Sequence, residues 1–452
     1  MSTDPNPYLP QTEEDVSRML SALGLSALED LFADIPSGVR QKKPYNIPEG
    51  LSEWSLRKHM ESVAAGNRVF DCVFAGAGSY DHMIPAVVRH LVTRSEFYTA
   101  YTPYQPEISQ GILQGIFEFQ TMICQLTGLE ASNASLYDGA TAAVEACAMA
   151  LNSSKSSNRI IVSGTVHPHI IEVLKAYYAD LDAQICVTGE KDGTIDTDAV
   201  RAELEKGAAG LLVMSPNIFG SLEDYAGLSD AVHEKGGFFI VSTNPMSLSV
   251  AKTPGEWGAD IAVGDTQSLG LEMNFGGPTA GYIASNEKLL RKLPGRIVGQ
   301  TLDTEGRRAF VLTLQAREQH IKRQRATSNI CSNQALAALA STIYLASVGK
   351  SGFKAVGEQC YANAHYLLDR LTEIDGVSRY GDGYFFNEFT LNLPKPAQIV
   401  VSKLGGAGIL AGVPLERIMP KGDSRKIIIA STEKHSKEDL DRFATLMKEA
   451  LS

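Results

Sequence analysis

No stretch of the sequence approaches the roughly 20 consecutive apolar residues that a membrane-spanning helix needs. The first residues, Met1 to Gln11, are polar and proline-rich, unlike the apolar core of a secretory signal. Both absences make the cytoplasm the expected compartment. The six cysteines, Cys72, Cys124, Cys147, Cys186, Cys331 and Cys360, form no C-x-x-C pair, which speaks against a zinc or dithiol framework and predicts buried, unpaired thiols. Long Lys/Arg runs are also missing, and the formal charge is −11. Nucleic acid and anionic membrane want clustered positive charge, so neither is an expected partner. Internal repeats and low-complexity segments are absent as well.

What is present is an ordinary globular composition over 452 residues, 44% hydrophobic and 21% charged, enough for two or three domains with sizeable cores. Thr12 with Asp15, and Ser26 with Glu29, place a hydroxyl three residues before a carboxylate, the signature of a helix start. They predict a helical arm, residues 1–70, whose Met19, Leu20, Leu28, Leu31 and Phe32 need something larger to pack on. Between Arg159 and Ala284 short apolar runs alternate with helix-length stretches: Ile160–Val162, Ile185–Val187, Leu211–Met214, Phe238–Val241, Ile261–Val263 and Tyr282–Ala284. Such runs predict a mostly parallel sheet covered on both faces, a large α/β domain over 71–310. Ligands of such sheets sit beyond the carboxyl ends of the strands, here at Ser242–Pro245 and Gly264–Gly270. Residues 311–452 read as connecting helices, with one over Asn333–Ser347, followed by a small α+β domain ending in an amphipathic helix over Lys437–Leu451.

Three long motifs then stand out: Y-T-P-Y-Q-P-E-I-S-Q-G from Tyr101, N-A-S-L-Y-D-G-A-T-A-A-V-E-A from Asn133 and R-E-Q-H-I-K-R-Q-R-A-T-S-N-I-C-S from Arg317. Together, in this order, they resemble the P protein of the glycine cleavage system, in particular its N-terminal half, subunit 1 (alpha) of the form split into two chains. The resemblance runs from P-Y-L-P-Q-T at Pro7 to A-S-T-E-K-H at Ala430. It implies the type I pyridoxal-phosphate-dependent transferase fold, like that of aspartate aminotransferase. It also implies decarboxylation of glycine on pyridoxal phosphate, with transfer of the aminomethyl group to the lipoyl arm of H protein. The cofactor lysine of that family belongs to subunit 2 (beta), so the cofactor is expected on that partner and not covalently on this chain, in an α2β2 assembly.

The stretch Gly258–Pro278, G-A-D-I-A-V-G-D-T-Q-S-L-G-L-E-M-N-F-G-G-P, fits that expectation. It reads as a strand and glycine-rich turn where a type I enzyme keeps its lysine, yet Gln267 or Ser268 stands there, and neither offers an amine. Phe238–Val241 leads into Ser-Thr-Asn-Pro, with no carboxylate to hold a pyridine nitrogen protonated. The turn Ser135–Thr141 opens a helix, but Asp138 at its start is expected to cap the helix and repel a phosphate. His167, where such enzymes stack a ring on the cofactor, reads as structural.

Since type I sites lie at a dimer interface, the resemblance directs attention to groups this chain lends its partner. Tyr101, Thr102 and Tyr104, with Tyr98, Gln105 and Glu107 nearby, suit the positioning of glycine and the exclusion of water. In Arg317–Asn329, His320 is a candidate for the same site, and the hydroxyls of Thr327 and Ser328 are candidates for the phosphate of the partner-bound cofactor. His82 is a further candidate because of its company in the loop of Gly76, Gly78, Ser79 and Tyr80, whose small residues permit close backbone approach. No metal is expected. The competing reading is a non-catalytic scaffold or regulatory paralogue. A self-sufficient enzyme would need a lysine just after a strand, whereas Lys252 precedes one.

Overall fold

The structure, a computed structural model, describes residues 8–452 apart from 42, 44, 156, 274, 275 and 420. Residues 1–7 of the polar N-terminal stretch, and Asn274 and Phe275 of the glycine turn, thus lie outside the described residues. The chain forms two compact units, Met1–Arg68 and Val69–Ser452.

In the first unit, helix α1 (Glu13–Ala22) starts on the Thr12/Asp15 capping box, and α2 (Glu53–Ala64) starts on Ser52. The second expected start differs. Asp30, not Glu29, accepts from the N–H groups of Ser26 and Ala27 at 3.0 and 2.9 Å, and the element is a short 3₁₀ turn, Leu28–Phe32. A carboxylate one residue further on reaches two free N–H groups at once, so it wins the cap. No residue of these elements is buried, and Met19, Leu28, Leu31 and Phe32 are all about half exposed.

The second unit is built on a seven-stranded sheet. In chain order its strands are β1 (Ala131–Ser132), β2 (Arg159–Val162), β3 (Gln184–Val187), β4 (Gly210–Ser215), β5 (Phe238–Thr243), β6 (Ile261–Asp265) and β7 (Gly281–Ser285). They lie in the order β1-β7-β6-β5-β4-β2-β3. The five from β6 to β3 are parallel, and β7 and β1 are added antiparallel at one edge. Because successive side chains alternate faces, each apolar run feeds two cores. Ile160, Val162, Leu212, Ile240, Ile261 and Val263 face one core. Ile161, Leu211, Val213, Phe239 and Val241 face the other.

Helix α3 (Gln110–Thr127) ends on Gly128 in the left-handed conformation, and α4 (Gly139–Ser153) lies on the first core face. Ala142, Ala143, Ala146 and Ala150 of α4 are fully buried; their small side chains let the helix approach the sheet closely. A hairpin, β8 (Ile297–Leu302) and β9 (Arg308–Thr313), follows. Helix α5 (Ala335–Thr372) extends well beyond the expected Asn333–Ser347 and is interrupted at Gly349, whose φ of 61° and ψ of −179° are non-helical. The C-terminal sheet consists of β10 (Ser378–Arg379), β11 (Glu388–Asn392), β12 (Val413–Pro414) and β13 (Lys426–Ala430), all pairs antiparallel. It shares a core with α5 and with α6 (Lys437–Leu451), whose Ser436/Asp439 capping box fixes its start. All six cysteines are free; Cys331 is exposed and only Cys147 and Cys360 are buried, so burial of every thiol is not observed. Among the described residues no helix is long and apolar enough to cross a membrane.

Candidate functional site

A cavity of about 330 Å³ lies beyond the carboxyl ends of β4, β5 and β6, where the sheet topology places a ligand. Ser242, Thr243, Asn244, Asp265, Gln267 and Ser268 line it, together with Asp138 and His167. Its anion seat is filled by the chain itself. Asp138, N-cap of α4, accepts from the Thr141 N–H at 2.7 Å. Asp265, at the end of β6, accepts from the N–H groups of Gly139 at 3.0 Å and Gln267 at 2.9 Å, and from the Thr279 hydroxyl. Burial raises the pKa of Asp265, and the bonds from Thr279, Gln267 and Gly139 oppose the rise. Two carboxylates thereby consume donors that would otherwise meet a phosphate.

Gln267 carries an amide that works in both directions. Its Oε1 accepts from the Tyr80 N–H at 2.8 Å, while its Nε2 donates to the carbonyls of Tyr80 and Leu271, both at 3.0 Å. A lysine can only donate. Ser268 Oγ donates to Asn244 Oδ1 at 2.8 Å. Ser242 and Thr243 are both 4% exposed and bring no acid to the cavity. His167 is held structurally, its Nδ1 accepting from the His169 N–H at 3.1 Å and its Nε2 lying 3.2 Å from the Ala77 carbonyl. Pyridoxal phosphate therefore does not fit this cavity: the amine is missing, no carboxylate stands at Ser242 or Thr243 at the end of β5, and the N–H groups of Gly139, Thr141 and Gln267 are taken by Asp138 and Asp265.

The loop pinned by Gln267 is pinned twice more. The Ala77 N–H and the Tyr80 hydroxyl both donate to Glu388 of β11, the latter at 3.2 Å. A Cβ at Gly76 would stand 2.0 Å from Glu388 Oε2, which explains the glycine. Full burial pushes the Glu388 pKa up to about 7. Further along, His82 Nδ1 lies 2.8 Å from Glu433 Oε2. Glu433 also accepts from the Met83 N–H at 2.7 Å and the Cys360 thiol at 3.1 Å. Burial raises the Glu433 pKa, but the bond and charge of His82, with Met83 and Cys360, outweigh it and hold it near about 2.

The other sequence candidates fall in two further places. Tyr98, Tyr101 and Thr102 line a cavity of about 230 Å³ with Arg296, Asn333 and Leu336. Tyr101 is 87% exposed. Tyr104 meets the His320 ring edge-on at 6.4 Å and accepts from Arg296 Nη2 at 3.2 Å. Thr327 and Ser328 instead line an open cleft with Asn152, Tyr177 and Asn329. There Ser328 bonds the carboxyl of Glu145, whose pKa burial pushes up to about 7. Arg317, in the same basic run, is spent on main-chain carbonyls: Nη2 reaches Gly295 at 2.9 Å and Nε Leu314 at 3.1 Å, with Nη1 on Leu293. Two residues escape a sequence reading. Arg296 is a single basic residue after a Pro-Gly turn, with no pattern to mark it. Asp265 had a signal, a second carboxylate directly after a strand and facing a helix start.

The fold recurs in proteins of remote sequence. Sphingosine-1-phosphate lyase of Burkholderia pseudomallei superposes with a TM-score of 0.66 at 14% identity, covering 92% of this chain and 94% of that one. Glutamate decarboxylase of Lactobacillus brevis gives 0.67 at 13%, covering 92% and 96%. The chain has the fold of type I pyridoxal-phosphate enzymes. Its sequence narrows this much further, because the glycine cleavage system P-protein family matches residues 6–447. A probable glycine dehydrogenase (decarboxylating) subunit 1 from Citrifermentans bemidjiense is 48% identical over 98% of this chain and 99% of its own length. One from Carboxydothermus hydrogenoformans is 47% identical over 97% and 99%. A crystal structure of glycine decarboxylase (P-protein) of the glycine cleavage system superposes with a TM-score of 0.89 at 41% identity, covering 99% and 100%. The chain belongs to the glycine cleavage system P-protein family.

Proposed function

We propose that this chain is subunit 1 of a glycine dehydrogenase (decarboxylating), catalytically incomplete alone. The observation that carries the proposal is the self-filled cavity: Asp138 and Asp265 occupy its anion seat, and Gln267 and Ser268, neither of them an amine, stand at the turn after β6. A chain with this fold and no cofactor site of its own completes one at an interface. On this reading subunit 2 holds pyridoxal phosphate, which supplies the electron sink for loss of CO2 from glycine. The lipoyl arm of H protein receives the aminomethyl group, and the assembly is α2β2 in the cytoplasm.

The chain's own contribution is to bind, orient and dry. Tyr101, Thr102 and Tyr104 project from an exposed loop, and closing them over glycine at the interface orients the substrate and excludes water. His320 borders Tyr104 in that site. Thr327 and Ser328 supply hydroxyls for the cofactor's phosphate across the interface. His82 is a positioning residue in this scheme, fixing the 74–82 loop through Glu433.

The test is purification of the chain alone and with subunit 2, followed by glycine–bicarbonate exchange with H protein present. We expect cofactor colour and exchange only in the complex. Colour in the isolated chain overturns the reading, and full exchange by subunit 2 alone favours a scaffold. Tyr101→Phe and Thr327→Ala, assayed in the complex, are each expected to lower exchange; unchanged kinetics would remove that residue from the site.

A further inference from the structure

Arg296 is a buried charge without a counter-charge. It is 4% exposed and sits directly before β8. Its guanidinium makes two long contacts, both to neutral oxygens: Nη2 to the Tyr104 hydroxyl at 3.2 Å and Nη1 to Asn333 Oδ1 at 3.4 Å. Its Nε is buried with no partner. Among the described residues no carboxylate pairs with it. Arg159 shows the usual arrangement for this chain, with Glu203 at 2.6 Å. A buried guanidinium left in this state is expensive unless an anion joins it.

A second, independent feature points into the same space. Helix α5 begins beside Arg296, and Gln334 at its N-cap makes no side-chain hydrogen bond to the first turn. The N–H groups of that turn therefore keep no intrahelical acceptor and carry roughly half a positive charge. Ser332, Asn333, Ala335 and Leu336 of this helix start line the cavity of about 230 Å³ that Arg296 borders. The rest of the lining is largely apolar and aromatic, including Tyr101, Ile112 and Phe119. One guanidinium, one uncapped helix start and a compact apolar wall suit a small monoanion, and the planar fork of arginine matches a carboxylate.

We propose that Arg296 and the N-terminus of α5 form a binding site for a compact carboxylate, covered by the 98–104 loop. The inference rests on the function proposed above for the source of that carboxylate: glycine itself, or an Asp or Glu side chain inserted by subunit 2. The first measurement needs neither. In saturation-transfer NMR on the full chain alone, acetate is expected to receive saturation, to be displaced by formate and to be unaffected by ethylammonium. Arg296→Gln should abolish the signal and Arg296→Lys restore part of it. No acetate signal from the native chain overturns the site, even if the variants fail to fold.

In the complex with subunit 2, a glycine carboxylate predicts that Arg296→Gln raises the glycine KM at least about tenfold, with a smaller change in kcat. A partner side chain predicts instead an unchanged KM and a subunit affinity at least about tenfold weaker. Neither change in a folded variant overturns the proposal. Absence of any glycine exchange by the native complex would overturn the functional reading while leaving the acetate result standing.

Discussion

Gln267 shows at the scale of one side chain how the turn after β6 is tied to the 74–82 loop. Placing an amine there by Gln267→Lys removes the acceptor for the Tyr80 N–H, and a buried donor left unmet costs about 1–3 kcal/mol. We expect a lower urea midpoint and no visible absorption on adding pyridoxal phosphate, since Asp138 and Asp265 still hold the anion seat. Glu388 gives a pH signature. Its folded pKa is raised to about 7, so its contribution is complete below the unfolded value of roughly 4.3 and is lost as pH rises towards 7. Glu145, also raised to about 7, acts in the same window and the same direction. Stability should therefore fall from pH 5 to pH 8. Glu388→Gln mimics the protonated carboxyl, keeping an acceptor for the Ala77 N–H, and should remove about 1–3 kcal/mol of that fall. Urea titrations of both proteins at the two pH values read this directly, and parallel slopes would sink the assignment.

Among the elements, α4 owes its start to Asp138. Asp138→Ala should lower stability by about 1 kcal/mol, whereas Asp138→Asn, also a good cap, should cost far less; thermal melts separate the two. That cap was legible in the sequence, as were the sheet strands and the last helix, because each rests on a local pattern. Apolar runs bounded by Gly, Asp and Asn mark β2 to β6, and the amphipathic pattern over Lys437–Leu451 marks α6. Less legible was what depends on residues far apart. Glu388 lies 311 positions from the Ala77 N–H it holds, and Glu433 lies 351 from His82, so no window along the chain contains either pair. The helical continuation of α5 past Gly349 was hidden for a different reason: glycine normally marks an end, and here it marks a break with the helix resumed beyond it. Of the site candidates, Tyr101 and Thr102 share a cavity, and Tyr104 and His320 meet, while Thr327 and Ser328 line a separate cleft and His82 is packed against Glu433.

For the molecule as a whole, the arm carries a prediction of its own. Its half-exposed Met19, Leu28, Leu31 and Phe32 form apolar surface that calls for a partner. Removing residues 1–68 should leave 69–452 folded by circular dichroism, with its melting temperature shifted little, and should weaken association with subunit 2 in sedimentation. Loss of the fold on truncation would assign the arm to this chain's own core instead. The self-filled seat has a consequence for the life of the chain in a cell. A protein that binds a vitamin-derived ligand gains stability with the logarithm of the free ligand and loses it in scarcity. On the function proposed above, with Asp138 and Asp265 taking the donors at the α4 start, this chain has no such linkage. Its melting temperature should then not respond to pyridoxal phosphate at any concentration, whereas subunit 2, the proposed holder of the cofactor, should gain stability as the supply rises.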